Sequence, residues 1–212
     1  MVNGRREALG RRFARLVTRI VVARPGLWRF FRRPLRAEFE RLAPVWDGIV
    51  EPERLAPLAV AFDRLERAPA CVLDLGTGSG KAARLVAERF PDAEVVGVDL
   101  APGMIEQARA LLPPELDGRV RFDVADASEL PFEDGAFDLV VLLNMIPFFD
   151  ELARVVAPDG TAVFAAVSGP STPIWTPPET LRARLEPRGF DRFDELAVGS
   201  GTAFLAHRSN PG

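Results

Sequence analysis

Three glycines at alternate positions, Gly76, Gly78 and Gly80, follow the apolar pair Val72-Leu73 and the acid Asp74, with Thr77 and Ser79 between them. Glycine lets the backbone turn tightly and approach a ligand with no Cβ in the way. The residues beyond, Lys81 to Phe90, set Ala82, Leu85, Val86 and Phe90 on one apolar stripe, and Pro91 closes them, so a helix is expected. A strand, a glycine turn and a helix N-terminus together make a nucleotide-type site. A second acid, Asp99, ends the apolar run that starts at Glu94. Dinucleotide folds carry an acid about 20 residues past the glycines, where its carboxylate accepts hydrogen bonds from both ribose hydroxyls.

Spacing separates the ligand classes that use such a turn. A phosphate-cradling G-x-x-x-x-G-K-[ST] loop needs Gly at position 75 and a hydroxyl at 82, where Leu75 and Ala82 stand. A dinucleotide fingerprint starting at Gly76 needs Gly or Ala at position 81, where Lys81 stands. That spacing weakens an NAD-dependent oxidoreductase, and the absence of tyrosine removes a Tyr-Lys catalytic pair, but the class stays open as an alternative.

The run D-x-G-x-G-x-G from Asp74 to Gly80 resembles the first motif of the class I S-adenosylmethionine-dependent methyltransferases. That cofactor has no pyrophosphate, and it carries an ammonium and a sulfonium beside which a carboxylate such as Asp74 is well placed. The turn Ala101 to Ala108 after Asp99, the pair Asp126-Ala127, the stretch Phe39 to Asp47 and the segment Glu151 to Gly160 are similar to further motifs of the family, with Asp159 where Gly is usual. The resemblance implies an α/β, Rossmann-like, doubly wound fold with a seven-stranded, mostly parallel sheet and an antiparallel C-terminal edge hairpin. It also implies S-adenosyl-L-methionine as cofactor and a small-molecule or lipophilic acceptor. Cofactor contacts are expected at Asp74, Gly76, Thr77, Gly78, Gly80, Asp99, Leu100, Asp126, Ala127 and Asn144, with Asp126 accepting from the adenine amine. Trp46, Met145 and Ser168 are expected on the acceptor side. No general base and no metal ligand set is assigned. The segment between Asn144 and the next helix is shorter than the family's usual one, so a non-enzymatic cofactor-binding protein also stays open.

Further elements must hold these residues. Strands are expected at Arg119–Ala125, Phe137–Leu143 and Thr161–Val167, followed by a hairpin of Phe190–Val198 and Gly201–His207. The near-continuous apolar run Phe137 to Leu143 implies burial on both faces, as in a parallel sheet. Asn144 follows it at the carboxyl end, where open α/β sheets bind ligands. Helices are expected at about Glu53–Arg67, Met104–Leu112, Phe149–Val156 and Pro177–Arg188, with Ala157 to Gly160 as a connection and Ser168 to Trp175 as an acceptor loop. The single Cys71 reads as a small buried hydrophobe and His207 as a surface residue near the C-terminus.

A chain of 212 residues suits one α/β core, expected over residues 37–212. Residues 1–36 form a basic amphipathic arm, in which Leu9, Phe13, Leu16, Val17, Ile20 and Val21 recur at helical spacing against Arg5, Arg11, Arg12, Arg15 and Arg19. The net charge of −3 hides an asymmetry: the arm holds eleven arginines and one glutamate, and the remainder holds 16 basic and 29 acidic residues. Such an arm either packs on its own acidic domain or docks peripherally on an anionic membrane, and the pattern leaves both open. Nucleic acid is not an expected partner, because the acidic remainder repels phosphates. No apolar run reaches a membrane span and no signal-peptide pattern opens the chain, so the expected compartment is the cytoplasm, with membrane association if the arm docks. The sequence leaves the oligomeric state open.

Overall fold

A computed structural model describes residues 2–48 and 55–209, with side chains from residue 10 onward. The expected helix start at Glu53, and the side chains of Arg5 and Leu9 in the arm's pattern, lie outside the described residues.

Seven strands form one sheet: β1 (Cys71–Leu75), β2 (Glu94–Asp99), β3 (Val120–Val124), β4 (Phe137–Leu143), β5 (Val156–Ala166), β6 (Phe190–Val198) and β7 (Gly201–Arg208). Their order is β3-β2-β1-β4-β5-β7-β6, parallel through β5, with β7 antiparallel to both β5 and β6. The fold class expected from the sequence is therefore observed. The order reverses between β1 and β4, so the glycine turn after β1 and Asn144 after β4 flank the crevice where doubly wound sheets take ligands.

Side-chain alternation divides the core. Leu73, Leu75, Val96, Val98 and Val140 face one layer, and Val72, Val95, Leu139 and Val141 face the other. Helices α3 (Ala56–Phe62), α4 (Lys81–Arg89) and α5 (Pro102–Ala110) bury Leu58, Val86 and Ile105 in the second layer. Helices α6 (Phe149–Val155) and α7 (Pro178–Leu185) bury Leu152 and Leu181 in the first.

The N-terminal helix α1 (Val2–Ala23) packs on the first layer through Val17, Val21 and Val22. Arg184 donates to the Val22 carbonyl at 3.0 Å, satisfying part of the α1 C-terminus. Each fully buried apolar side chain of this size is worth about 1.5–3 kcal/mol, against about 1 kcal/mol at most for a surface ion pair. Apolar packing, more than the charge asymmetry, holds the arm down. The apolar stripe is split by this docking: Val17 and Val21 are buried, while Phe13 and Leu16 are 42% and 56% exposed.

The boundary expected between residues 36 and 37 falls inside α2 (Trp28–Trp46), which runs on from a 3-10 turn at Pro25–Leu27 and carries Pro34 and Pro44 within it. Proline spacing hid this helix from sequence reading, since proline removes a helical donor and disfavours the helix interior.

Three local expectations are corrected. Cys71 is exposed, because it opens β1 at the amino end of the sheet beyond the covering helices. His207 is 8% exposed: β7 lies between β5 and β6, and the ring is held by Thr161 at 3.0 Å and Asp194 at 3.2 Å. Ala157 to Gly160, read as a connection, is an irregular stretch of β5, whose register against β4 shifts between Phe137 and Leu139. Asp159 takes φ +60 there, a left-handed conformation that Asp tolerates better than most side chains, which accounts for Asp at a position where glycine was expected.

Candidate functional site

Gly76, Gly78 and Gly80 all have positive φ, at +77, +54 and +81, so the turn uses the conformational freedom that its sequence supplies. The Gly76 and Thr77 amides both donate to the Val98 carbonyl at 2.9 Å, fastening the turn to β2. Asp74 is fully buried on the α4 side of the sheet. Its Oδ2 accepts from Thr77 Oγ1 at 2.6 Å and from the Ala83 amide at 3.0 Å, which braces the turn against the first turn of α4. Its Oδ1 has no hydrogen-bond partner, the single such buried side-chain atom among the described residues. Burial pushes its carboxyl from 3.8 to about 6, against the pull of the Thr77 and Ala83 donors.

Asp99 ends β2 beside the turn. Its Oδ2 accepts the Gly78 amide at 3.0 Å and its Oδ1 accepts the Ala101 amide at 2.9 Å. Burial raises its pKa while these amides oppose the rise. A carboxylate has about four acceptor positions, so two amides leave room for ribose hydroxyls. Leu100 is half-buried beside it, and the Ala125 amide donates to the Asp99 carbonyl at 3.0 Å, bringing the end of β3 alongside.

Gly97, unremarked in the sequence reading, makes the bed under this turn. A Cβ there would lie 2.6 Å from the Phe122 ring and 2.7 Å from Thr77 Oγ1. Its signal was a glycine inside a strand, which marks close approach.

Helix α2 lies across the carboxyl ends of β3, β2 and β1. At its start Trp28 Nε1 donates to the Asp126 carboxylate at 2.9 and 3.1 Å. In its middle Glu40 accepts the Gly103 amide at 3.1 Å. At its end Trp46 lies over Gly78, where a Cβ would stand 2.7 Å from Nε1, and Asp47 just beyond accepts from Ser79 Oγ at 2.8 Å. Lys81 donates to the Asp47 carbonyl at 2.5 Å. The sequence assigns no contact to Trp28, Glu40 or Asp47, although Glu40 and Asp47 fall in the stretch Phe39 to Asp47, because the loops that they touch lie far along the chain.

Asp126 also accepts from the Ser128 amide at 2.9 Å and from Ser128 Oγ at 2.7 Å, and Ala127 behind it is buried. The adenine acid expected from the resemblance is thus already engaged by the arm.

On the other side of the crevice Asn144 takes φ +53, and its Oδ1 accepts the Val167 amide at 3.1 Å, tying β4 to the start of the 168–175 loop. Asn144 and Met145 border a cavity of about 220 Å³ whose other walls include Leu142, Phe164, Ile174, Trp175 and Phe204. Met145 also covers the turn, since a Cβ on Gly76 would lie 2.6 Å from its sulfur. Ser168 is not part of this lining; its amide donates to Thr172 Oγ1 at 3.2 Å and shapes the loop. Arg11 and Arg15 of α1 reach the same loop at the Ser171 carbonyl, at 2.9 and 3.4 Å.

The residues present fit an adenosyl ligand with an amino-acid tail. The positive-φ cradle leaves close backbone approach, Asp99 has acceptor capacity, and the orphaned Asp74 Oδ1 is an acceptor still lacking a donor. A larger cavity of about 500 Å³ lies at the opposite end of the sheet, around His207, Thr161 and Asp138, away from these groups. No metal-binding cluster occurs among the described residues.

A family profile described as a methyltransferase domain matches residues 72–160. The chain is 49% identical over 107 residues to a demethylmenaquinone methyltransferase of Thermus thermophilus, covering 47% of this chain and 48% of that protein. It is 40% identical over 146 residues to a malonyl-[acyl-carrier protein] O-methyltransferase of Geobacter sulfurreducens, covering 63% and 53%. The chain therefore spans about half the length of these curated relatives. A solved structure of a SAM-dependent methyltransferase from Aquifex aeolicus shares the fold at a TM-score of 0.63 and 19% identity, covering 82% of this chain and 98% of that one.

Proposed function

Because the chain belongs to the class I S-adenosylmethionine-dependent methyltransferase family, we propose that it methylates a small, largely apolar acceptor. The observation that carries this is the placement of Asp99 and the positive-φ glycine turn on one side of the crevice, with Asn144, Met145 and the apolar cavity on the other. Bound in the crevice, the cofactor supplies an electrophilic methyl group on a sulfonium. Asp99 holds the ribose, the glycine turn admits the tail, and Asp74 supplies a negative charge beside its ammonium. Met145, Trp46 and α2 exclude water, and Asn144 fixes the acceptor loop against β4. The chain contributes orientation and desolvation, which suits an acceptor already nucleophilic at neutral pH. The relatives named for demethylmenaquinone and malonyl-carrier substrates support a small-molecule acceptor class.

Calorimetry with S-adenosylhomocysteine and with NAD tests the cofactor, and binding of NAD alone would overturn the reading. Labelled methyl transfer into a component of cell extract separates an enzyme from a protein that only binds the cofactor.

The arm's outer face supports a second element of this reading, peripheral contact with an anionic membrane from the cytoplasmic side. Phe13, Leu16 and Ile20 follow i, i+3, i+7 spacing on α1, Arg12 and Arg19 stand exposed beside them, and Phe30 of α2 is 61% exposed. Each basic residue near such a surface adds about 1 kcal/mol. No described helix is long and apolar enough to cross a membrane, so the contact is peripheral.

A further inference from the structure

We propose that the contact between Trp28 and Asp126 is a latch closing the base end of the ligand crevice, and that a nucleoside ligand carrying an amino group on its base must open it. This rests on the cofactor reading above and adds a regulation of the same site.

A carboxylate offers about four acceptor positions. On Asp126, Oδ1 receives Trp28 Nε1, the Ser128 amide and the Ser128 hydroxyl, while Oδ2 receives Trp28 Nε1 at 3.1 Å, with Arg32 standing 3.9 Å away. The two Ser128 donors come from its own turn and stay with it. The Trp28 donor comes from another element and is the one seated on Oδ2, so it is the one that a ligand amine approaching that oxygen would replace.

Trp28 is 8% exposed and its indole packs edge-on against Phe148 at 5.2 Å, so it is seated and cannot shift without losing apolar contact. Release is a movement of α2 as a unit. The helix has 19 residues, about 28 Å at 1.5 Å each, and its far end is held separately by Glu40 on Gly103 and by Asp47 on Ser79 and Lys81. Just before Trp28 the chain turns at Pro25–Leu27, where no residue is buried, and this supplies a hinge between the seated α1 and the start of α2. The crevice then opens at its base end while the glycine-turn end keeps its cover.

A ligand that must open a closed state binds more weakly by the fraction of open molecules. Trp28→Phe keeps an aromatic ring against Phe148 and removes only the donor, so the full-length variant should bind S-adenosylhomocysteine roughly fivefold to tenfold more tightly in calorimetry, tenfold being about 1.4 kcal/mol. Equal or weaker binding by the folded variant would overturn the latch, equal binding making Trp28 a bystander and weaker binding making it part of the ligand's wall. Should the variant fail to fold, the wild-type chain labelled with 5-fluorotryptophan decides. Of its three tryptophan resonances, that of Trp28, assigned by elimination with Trp46→Phe and Trp175→Phe, should move on saturation with S-adenosylhomocysteine. A Trp28 resonance unmoved at saturation would overturn the proposal while leaving the cofactor reading intact. Absence of binding by the wild-type protein would overturn the cofactor reading, and the latch with it.

Discussion

Asp99 accepts the Gly78 amide at 3.0 Å, so the carboxylate assigned to the ligand's ribose also holds the glycine turn in shape. Its other oxygen holds the Ala101 amide at the entrance to α5. Ligand binding and local stability therefore share one side chain. Asp99→Ala should weaken S-adenosylhomocysteine binding at least tenfold, and it should also lower the melting temperature, since hydrogen bonds to a charged group contribute about 1.5–3 kcal/mol each. Calorimetry and thermal melting check the two effects. Unchanged affinity in a folded variant would take the ribose role away from Asp99.

The Asp74 carboxyl sits at about 6 in the folded chain, above its ordinary 3.8, because it is buried. Its folded-state pKa is raised, so the folded chain holds the proton more tightly than the unfolded one. Stability from this group is highest at low pH and falls as pH rises from about 4 through about 6, by roughly 3 kcal/mol in all. Glu66 and Glu151, lowered by hydrogen bonds from Arg192 and Arg154, act in the opposite sense and lose their contribution below the ordinary carboxylate range. Between pH 5 and pH 7 Asp99, raised by burial, acts with Asp74, and His207, lowered by burial, acts against it, so the melting temperature of the ligand-free wild type relative to that of Asp74→Asn should be higher at pH 5 than at pH 7. A wild-type melting temperature that gains on that of Asp74→Asn between pH 5 and pH 7 would contradict the assignment.

Gly97→Ala should destabilise the fold by about 1–3 kcal/mol, the usual range for overpacking. The added Cβ meets the Phe122 ring and Thr77 Oγ1, and Thr77 is the residue that bonds Asp74. Urea unfolding reads the loss, and Phe122→Leu should recover part of it. Additive effects in the double variant would show that the two positions are not in contact.

Exchanging Phe13, Leu16 and Phe30 for serine together should lower the melting temperature by no more than about 6 °C, because substitutions at such exposed positions change stability by about 0.5 kcal/mol or less each. The same exchange should abolish co-sedimentation with phosphatidylglycerol liposomes at low salt. A wild-type chain that stays in the supernatant would make α1 a structural helix only. Deleting residues 1–36 is a poorer test, since it strips Val17, Val21, Trp28 and Leu35 from the core and cuts α2.

The sheet was legible in the sequence because period-2 apolar runs, glycine turns and the Phe137 to Leu143 run report local backbone state directly. Asp74 and the glycines were legible for the same reason: their conformations are local, and all three glycines take the positive φ that their identity allows. What stayed hidden depends on partners far along the chain. Trp28 reads as one aromatic in an arginine-rich segment until Asp126 is brought against it, and the burial of His207 follows from strand order, which no property of the C-terminal run reveals. Helix α2 was masked by its two prolines, although tertiary contacts along its length outweigh their local penalty.

The docking of the arm has a consequence for how the chain is made. Arg11 is held by Ser171, 160 positions later; Trp28 by Asp126, 98 later; and the end of α1 by Arg184, 162 later. A segment synthesised well before its partners is thus among the last to find its place. At about 5–20 residues per second, α1 waits on the order of 8–30 s for Arg184 to be synthesised, with Val17 and Val21 in water.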